Sequence, residues 1–266
     1  MTETILDNTM LTAFNTCPTK FYWRHVRHLV GQGENHAALD FGSAIHSALA
    51  TLYNGGSKTE CIDSFAKAME GAATDDKRNL QNGLTILAGY FEKWLPEQFK
   101  VKQVEIALQW ELSSDLIYCG KVDGLVEWMG DVYILEHKTS SSMSQFVAQP
   151  NHQISGYIYG SQVLGQSTVG AIVNLVAVLK TKQDYHRILT YRAKWELDDW
   201  RLHVLHTKRR IDEAIETGFF DRHTHSCTYC PYKDLCTSPP DAVEAVITSK
   251  YKESKWEPWK VEKVTE

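Results

Sequence analysis

The stretch from Gly120 to Thr139 carries Asp123, Glu136 and Lys138 among Val122, Leu125, Val126, Ile134 and Leu135. Side chains alternate along a strand, so Glu136 and Lys138 share a face with Ile134, opposite Tyr133, Leu135 and His137. A hairpin turn around Gly130 returns Asp123 to that same face. With Met129-Gly130 as the loop, Trp128 pairs with Asp131 and Asp123 lies directly across from Glu136. With Gly130-Asp131 as the loop, Asp123 faces Lys138 and is diagonal to Glu136. Carboxylates directly opposite stand roughly 5 Å apart at Cβ, where like charges destabilise a sheet. Lys138 offsets part of that repulsion, but an oxygen-seeking cation such as Mg²⁺ or Mn²⁺ fits two converging carboxylates better and keeps waters for substrate or attack. An ordinary surface Glu/Lys pair is the bland alternative; an Asp of matching parity one strand earlier, on strands otherwise apolar, weighs against it.

A second constellation is built on thiols. Cys227, Cys230 and Cys236 are separated by gaps of two and five residues. One loop carrying them can wrap a metal centre, with a fourth ligand supplied from elsewhere. Zinc and an iron–sulfur cluster both accept four thiolates, so the spacing leaves both open. His223 and His225 precede the loop and are rival ligands in a zinc version. Cys61 and Cys119 read as small buried residues. The start, Met1-Thr-Glu-Thr-Ile, lacks the basic and apolar segments of a secretory signal, and no apolar run approaches the roughly 18 residues of a membrane span. A cytoplasmic chain with reduced thiols is expected, which sets disulfides aside.

The elements that must position these groups change period along the 266 residues. Residues 8–30 read as helix with a break at Pro18. In Phe41–Tyr53, the residues Phe41, Ile45, Leu49 and Leu52 form one helix face, and two more helical patterns cover 58–72 and 76–99. Val101–Leu112, Leu116–Trp128 and Asp131–Thr139 read as an antiparallel meander. A helix over 149–164, strands at Val169–Leu179 and Tyr185–Arg192, and a helix at Trp195–Thr217 stopped by Gly218 complete a mixed sheet flanked by helices. The apolar share of 43% excludes a disordered chain, and 28 basic against 33 acidic residues argue against a body coated in cations for wrapping nucleic acid. A local basic channel remains compatible with that balance.

Asp123 followed at a hairpin's distance by Glu136-His137-Lys138 resembles the PD-(D/E)XK nuclease core, with Val122 in place of the proline of the name-giving pair. The helix-rich start and split cysteine set are similar to its RecB-like branch, including AddB-type and CRISPR-associated exonucleases that carry an iron–sulfur cluster. Two further motifs match: Gly42-Ser43-Ala44-Ile45-His46, and Gln153-Ile154-Ser155-Gly156-Tyr157. The resemblance implies a restriction-endonuclease-like α/β fold. Its expected parts are a helical region at 1–100 contributing Cys17 and His46, a nuclease core at 101–217 and a Cys-rich segment at 218–238, while the charged tail at 239–266 reads from its composition as a solvated extension or partner arm. It implies Mg²⁺ or Mn²⁺ on Asp123 and Glu136, with His46 and the backbone carbonyl of His137 as added ligands, and Lys138 beside water. Gln153 and Tyr157 would hold a phosphate or base. Glu105 matches an acidic residue that some members place near the metal. A [4Fe–4S] cluster is implied on Cys17, Cys227, Cys230 and Cys236, with zinc as the lesser alternative.

The activity so implied is exonucleolytic cleavage of DNA, single-stranded or at ends. Its setting would be recombination, repair, phage or CRISPR-linked processing in a bacterial, archaeal or phage-infected cell, with helicase, recombination or CRISPR proteins as partners and no membrane. Lys20, Arg24 and Arg27 beside Phe21, Tyr22 and Trp23 are candidate DNA contacts, although core packing is the stronger reading for Phe21 and Tyr22. Arg201, Lys208, Arg209 and Arg210 form a second basic group that a solvated helix face explains equally well. Two other classes stay open at this level: an idle DNA-binding or assembly subunit on the same fold, and a zinc-stabilised interaction module.

Overall fold

Short polar side chains set where the helices begin. Asp7 accepts from the N–H of Met10, Asn79 from Asn82 and Asn151 from Ile154, at 2.7, 3.0 and 3.1 Å, and Ser57 with Glu60 closes a capping box. The computed structural model describes residues 4–32 and 36–257. In chain order they form β1 (Thr4–Leu6), α1 (Asn8–Thr16), α2 (Pro18–Phe21) continued by a π-helical turn over Tyr22–Val26, β2 (Leu29–Gly31), α3 (Ala37–Tyr53), α4 (Lys58–Ala68), α5 (Leu80–Trp94), β3 (Lys100–Ser113), β4 (Leu116–Trp128), β5 (Asp131–Ser140), α6 (His152–Val163), β6 (Thr168–Ala177), β7 (Tyr185–Tyr191), α7 (Lys194–Thr217), α8 (Lys233–Thr237), α9 (Val243–Lys250) and β8 (Tyr251–Glu253). Pro18 opens α2 at a position where its missing N–H costs nothing. The helix expected to reach residue 30 ends earlier, because His28 takes φ +55° and the chain then pairs as β2.

Strand order is β1-β4-β5-β6-β7, with β3 also on β4, and β2 and β8 form a separate ladder. β4 and β5 are antiparallel, β5 and β6 parallel, β6 and β7 antiparallel, and β1 runs parallel to β4. This mixed sheet flanked by helices is the architecture that the sequence pattern points to, and it agrees with the restriction-endonuclease-like α/β class that the resemblance implies.

The chain divides into two compact units, one from residues 35–108 and 121–197, the other from 1–34, 109–120 and 198–266. In the first unit α3, α4 and α5 pack with the sheet residues. Its core takes Phe41, Ile45 and Leu49 from the predicted α3 stripe, Phe65 from α4, Ile86, Leu87 and Tyr90 from α5, and Tyr133, Leu135, Ile172 and Val176 from the sheet. Gly83 on α5 lets the Phe65 ring come so close that a Cβ there would stand 2.0 Å from Cζ.

The second unit has its own cluster of Trp23, Leu29, Tyr232, Leu235 and Tyr251, with Val243, Val246 and Ile247 against it. Much of the tail expected to be solvated is therefore folded. β8 pairs with β2, and the Trp256 indole donates to Asp7 Oδ2 at 3.0 Å. Its apolar residues, spaced on α9 and β8, outweigh the charges between them. Residues 258–266 of that tail lie outside the described residues.

Candidate active site

The β4–β5 turn fixes the register of the charged residues. Met129 and Gly130 take φ of 54° and 90°, the two positive values of a type I′ turn, and Trp128 pairs with Asp131. The first of the two registers is thus the one adopted. The ladder runs back to Gly124 and Leu135, and one residue further sets Asp123 across from Glu136. There the Asp123 carboxylate takes a backbone role: Oδ2 accepts from the N–H of His137 at 2.6 Å. β5 meanwhile stays paired with β6 through Ser140 and Ala177.

Each expected side chain has a defined partner. His46 reaches from α3 to place Nδ1 2.9 Å from Asp123 Oδ1. Lys138 Nζ stands 2.6 Å from Glu136 Oε1 and donates to Gln153 Oε1 at 2.8 Å. Gln153 Nε2 in turn donates to Tyr157 Oη at 2.8 Å, four residues along α6. Asp123, Glu136, Lys138, His46, Gln153 and Tyr157 are thereby linked in one neighbourhood. Glu105 takes a positive φ of 53° and pairs with Lys121, two residues before Asp123.

Burial sets the electrostatics. Glu136 is 3% exposed, and burial together with the neighbouring Asp123 charge pushes its carboxyl up to about 7 despite Lys138. Burial pushes Asp123 the same way, but the His46 charge and hydrogen bond and the His137 N–H outweigh it and hold the carboxyl near 2. Burial lowers His46, and Asp123 more than reverses this, so its proton is held more tightly than usual. His137, 2% exposed, is driven down to about 3 by burial and is neutral at physiological pH.

Glu136 Oε2 is buried without a hydrogen-bond partner. An orphaned carboxylate oxygen beside a second carboxylate is the donor chemistry that a hard divalent cation satisfies, so these residues fit Mg²⁺ or Mn²⁺. Lys138 and His46 occupy one oxygen of each acid, and among the described residues no group of three or more His, Cys, Asp or Glu side chains is gathered to hold a metal ion.

That holds for the thiols as well. All six cysteines are free. The Cys17 turn is joined to the segment ahead of Cys227: Thr19 Oγ1 donates to the carbonyls of Phe220 and Asp221 at 2.8 and 2.9 Å, and His223 Nδ1 lies 2.9 Å from the Thr16 carbonyl. Burial raises the Cys236 thiol, with Cys230 and Cys17 near enough to add to the rise. The cysteine segments are neighbours, and among the described residues their thiols form no group of three or more that could hold a metal ion.

Of the basic residues expected to meet DNA, Arg24 and Arg27 have partners within the chain. Arg24 donates to the Ser254 carbonyl at 2.8 Å and covers the Trp256 ring, and Arg27 pairs with Glu244 at 3.0 Å. Phe21 is 2% exposed, which fits core packing and not stacking on a base. Arg201 donates to the Leu112 carbonyl, Lys208 pairs with Asp115 and Asp212, Arg209 meets His206, and Arg210 meets Asn15.

Sequence reasoning missed the layer behind His137. Asn174 Nδ2 lies 3.0 Å from His137 Nδ1 and 2.6 Å from Tyr90 Oη, and a closed network continues through Tyr53, Glu97 and Arg187. One signal was present: Asn174 is the single polar side chain between Gly170 and Leu179 in a strand that is otherwise apolar.

The family model described as the PD-(D/E)XK nuclease superfamily matches residues 8–237. No curated protein matches the chain. Among solved structures, a protein described as a "Putative exonuclease" from Eubacterium rectale is 15% identical, with a TM-score of 0.54 over 91% of this chain and 92% of that one, a likeness of fold. A second, described as SSO0001, is 13% identical with a TM-score of 0.34 over 86% and 94% of the two chains. Among the described residues no helix is long and apolar enough to cross a membrane.

Proposed function

Because the chain belongs to the PD-(D/E)XK nuclease superfamily, we propose that it is a metal-dependent deoxyribonuclease, acting as an exonuclease on single-stranded DNA or DNA ends. The observation that carries this reading is the meeting of Asp123 and Lys138 with the buried Glu136, one of whose oxygens is left unpartnered. Hydrolysis of a phosphodiester needs water in line with the leaving oxygen and neutralisation of the charge that builds at phosphorus. Mg²⁺ or Mn²⁺ held by Asp123 and Glu136, with His46 and the His137 carbonyl as further ligands, supplies a Lewis acid when bound. Lys138, set between Glu136 and Gln153, orients a water and offsets phosphate charge. The Gln153 amide and Tyr157 phenol share one face of α6 and offer polar groups to a phosphate or base. His46 keeps Asp123 ionised and aligned.

No motif in the sequence names a base sequence, which agrees with recognition led by the backbone. The proposal extends to a [4Fe–4S] cluster on Cys17, Cys227, Cys230 and Cys236, with zinc as the lesser alternative. The cysteine spacing and the hydrogen bonds that tie residues 16–19 to 220–223 support it. It extends also to roles in recombination, repair, phage or CRISPR-linked processing alongside helicase or other partner proteins.

The test uses anaerobically purified protein, end-labelled single- and double-stranded DNA and Mg²⁺ or Mn²⁺, with Lys138→Ala alongside. Cleavage that progresses from ends in the unsubstituted protein and vanishes in Lys138→Ala is expected. Equal cleavage by both, or none by either, refutes the assignment.

A further inference from the structure

We infer that Asn174 is a positioning residue for the Glu136–Lys138 strand, acting through the His137 imidazole; the inference rests on the nuclease reading and adds a component to it. His137 sits between Glu136 and Lys138, and its backbone N–H is the donor that holds Asp123 Oδ2. Its side chain points to the other face of β5, where register places His137, Asn174 and Arg187 in a row across β5, β6 and β7.

The orientation of the Asn174 amide follows from the groups behind it. Arg187 donates to both oxygens of Glu97, at 2.7 and 2.6 Å, and its guanidinium lies 4.0 Å from the Trp94 ring centroid. Tyr53 donates to Glu97 Oε1 at 2.7 Å, so the Tyr90 hydroxyl, 2.5 Å away, donates to Tyr53 and must itself accept from elsewhere. It accepts from Asn174 Nδ2, while Asn174 Oδ1 faces Arg187 Nε at 3.4 Å. Turning the amide over would set its NH₂ against an arginine donor and leave the single Tyr90 proton to serve two acceptors, Tyr53 Oη and the amide oxygen. The Glu97–Arg187 pair therefore fixes the polarity of the ring, and Asn174 passes it to His137.

An amide nitrogen only donates, so His137 Nδ1 must accept and the ring proton resides on Nε2. Tyr53 stacks on the same imidazole, with centroids 5.4 Å apart and planes 8° from parallel. Tautomer and rotation are both settled, and with them the direction of the His137 peptide, whose N–H meets Asp123 and whose carbonyl is a proposed cation ligand. Asn174 touches none of the reacting groups; it holds the residue that does.

The test compares Asn174→Leu with Ile172→Val, a core substitution two residues away on the same strand. In metal-free unsubstituted protein, nitrogen NMR of the His137 ring should show the Nε2–H tautomer, and in Asn174→Leu that signature should be lost or divided. With Mg²⁺ or Mn²⁺ and DNA, kcat should fall about 10- to 100-fold in Asn174→Leu, with KM for DNA changed less than about threefold. Ile172→Val should lower Tm while keeping kcat. If Asn174→Leu does not fold, Asn174→Asp serves: its carboxylate cannot donate to Nδ1, so the ring proton moves to Nδ1 and kcat falls likewise. An unchanged tautomer and unchanged kcat in a folded Asn174 variant would overturn this inference and leave the nuclease reading standing. No cleavage by the unsubstituted protein would overturn the nuclease reading, and this one with it.

Discussion

Replacing Glu136 by Gln should make the metal-free protein more stable and inactive at once. Folding moves this carboxyl from an ordinary 4.5 to about 7, because burial and Asp123 both resist its charge. At about 1.4 kcal/mol for each tenfold change in proton affinity, ionised Glu136 costs the native state on the order of 3 kcal/mol. A carboxyl raised on folding contributes stability below its unfolded value and loses that contribution as pH climbs through about 7. The penalty is thus small at pH 5 and fully present at pH 8. Gln does not titrate, and its amide oxygen can still accept from Lys138. Asp123, held near 2, acts in the opposite sense only in strongly acid solution and is common to both proteins. At roughly 2–4 °C per kcal/mol for a chain of this size, Glu136→Gln should melt about 6–12 °C above the unsubstituted protein at pH 8 in EDTA, the gap closing towards pH 5. Saturating Mg²⁺ should narrow it too, by stabilising only the protein that retains both carboxylates. Thermal melts at the two pH values, with and without cation, measure this directly. A gap that is absent at pH 8, or equal at pH 5 and pH 8, would refute the electrostatic reading of the site.

Lys138→Ala should reduce Mg²⁺- or Mn²⁺-dependent cleavage by about 10²–10⁴-fold with an unchanged circular dichroism spectrum; residual activity within tenfold of the parent counts against a role beside the water. Gly83→Ala should destabilise by about 1–3 kcal/mol, read by denaturant melts, since its Cβ would stand 2.0 Å from the Phe65 ring. Cys230→Ser should lose visible absorption, bound iron and stability in anaerobically purified protein, and a colourless parent that contains zinc would replace the cluster by the alternative metal.

Much of the site was legible because its logic is local. Strand parity and a two-residue turn are enough to bring Asp123 beside Glu136 and Lys138, and Met129 and Gly130 adopt the turn that decides the register. Gln153 and Tyr157 were legible for a similar reason: residues four apart on a helix share a face, and a single contact from Lys138 brings that face to the strand. The partners of Arg24 and Arg27 in the first helical stretch were not, since they lie far along the chain. Ser254, Trp256 and Glu244 take up Arg24 and Arg27, and nothing near residue 24 announces a partner more than two hundred positions away. The tail misled for the mirror reason: its charges dominate a count, while its few apolar residues decide the packing.

The Asn174 network belongs to a third category, visible as an anomaly but not interpretable from sequence. A lone amide in a buried strand must have its donors and acceptor met, or it costs more than an apolar residue would. That requirement says a network exists without saying which residues compose it, because Tyr53, Tyr90, Glu97 and Arg187 come from four separate segments of the chain. The same physics explains why the network lies where it does. A strand that carries a buried carboxylate and a lysine on one face, with a second carboxylate across from it on β4, is under electrostatic load there. Its backbone keeps its direction only if the other face is anchored by bonds that the load cannot rearrange. A ring of hydrogen bonds whose polarity is set by a paired Arg and Glu provides such an anchor at the residue between the two catalytic positions, where a greasy contact would fix distance but not orientation.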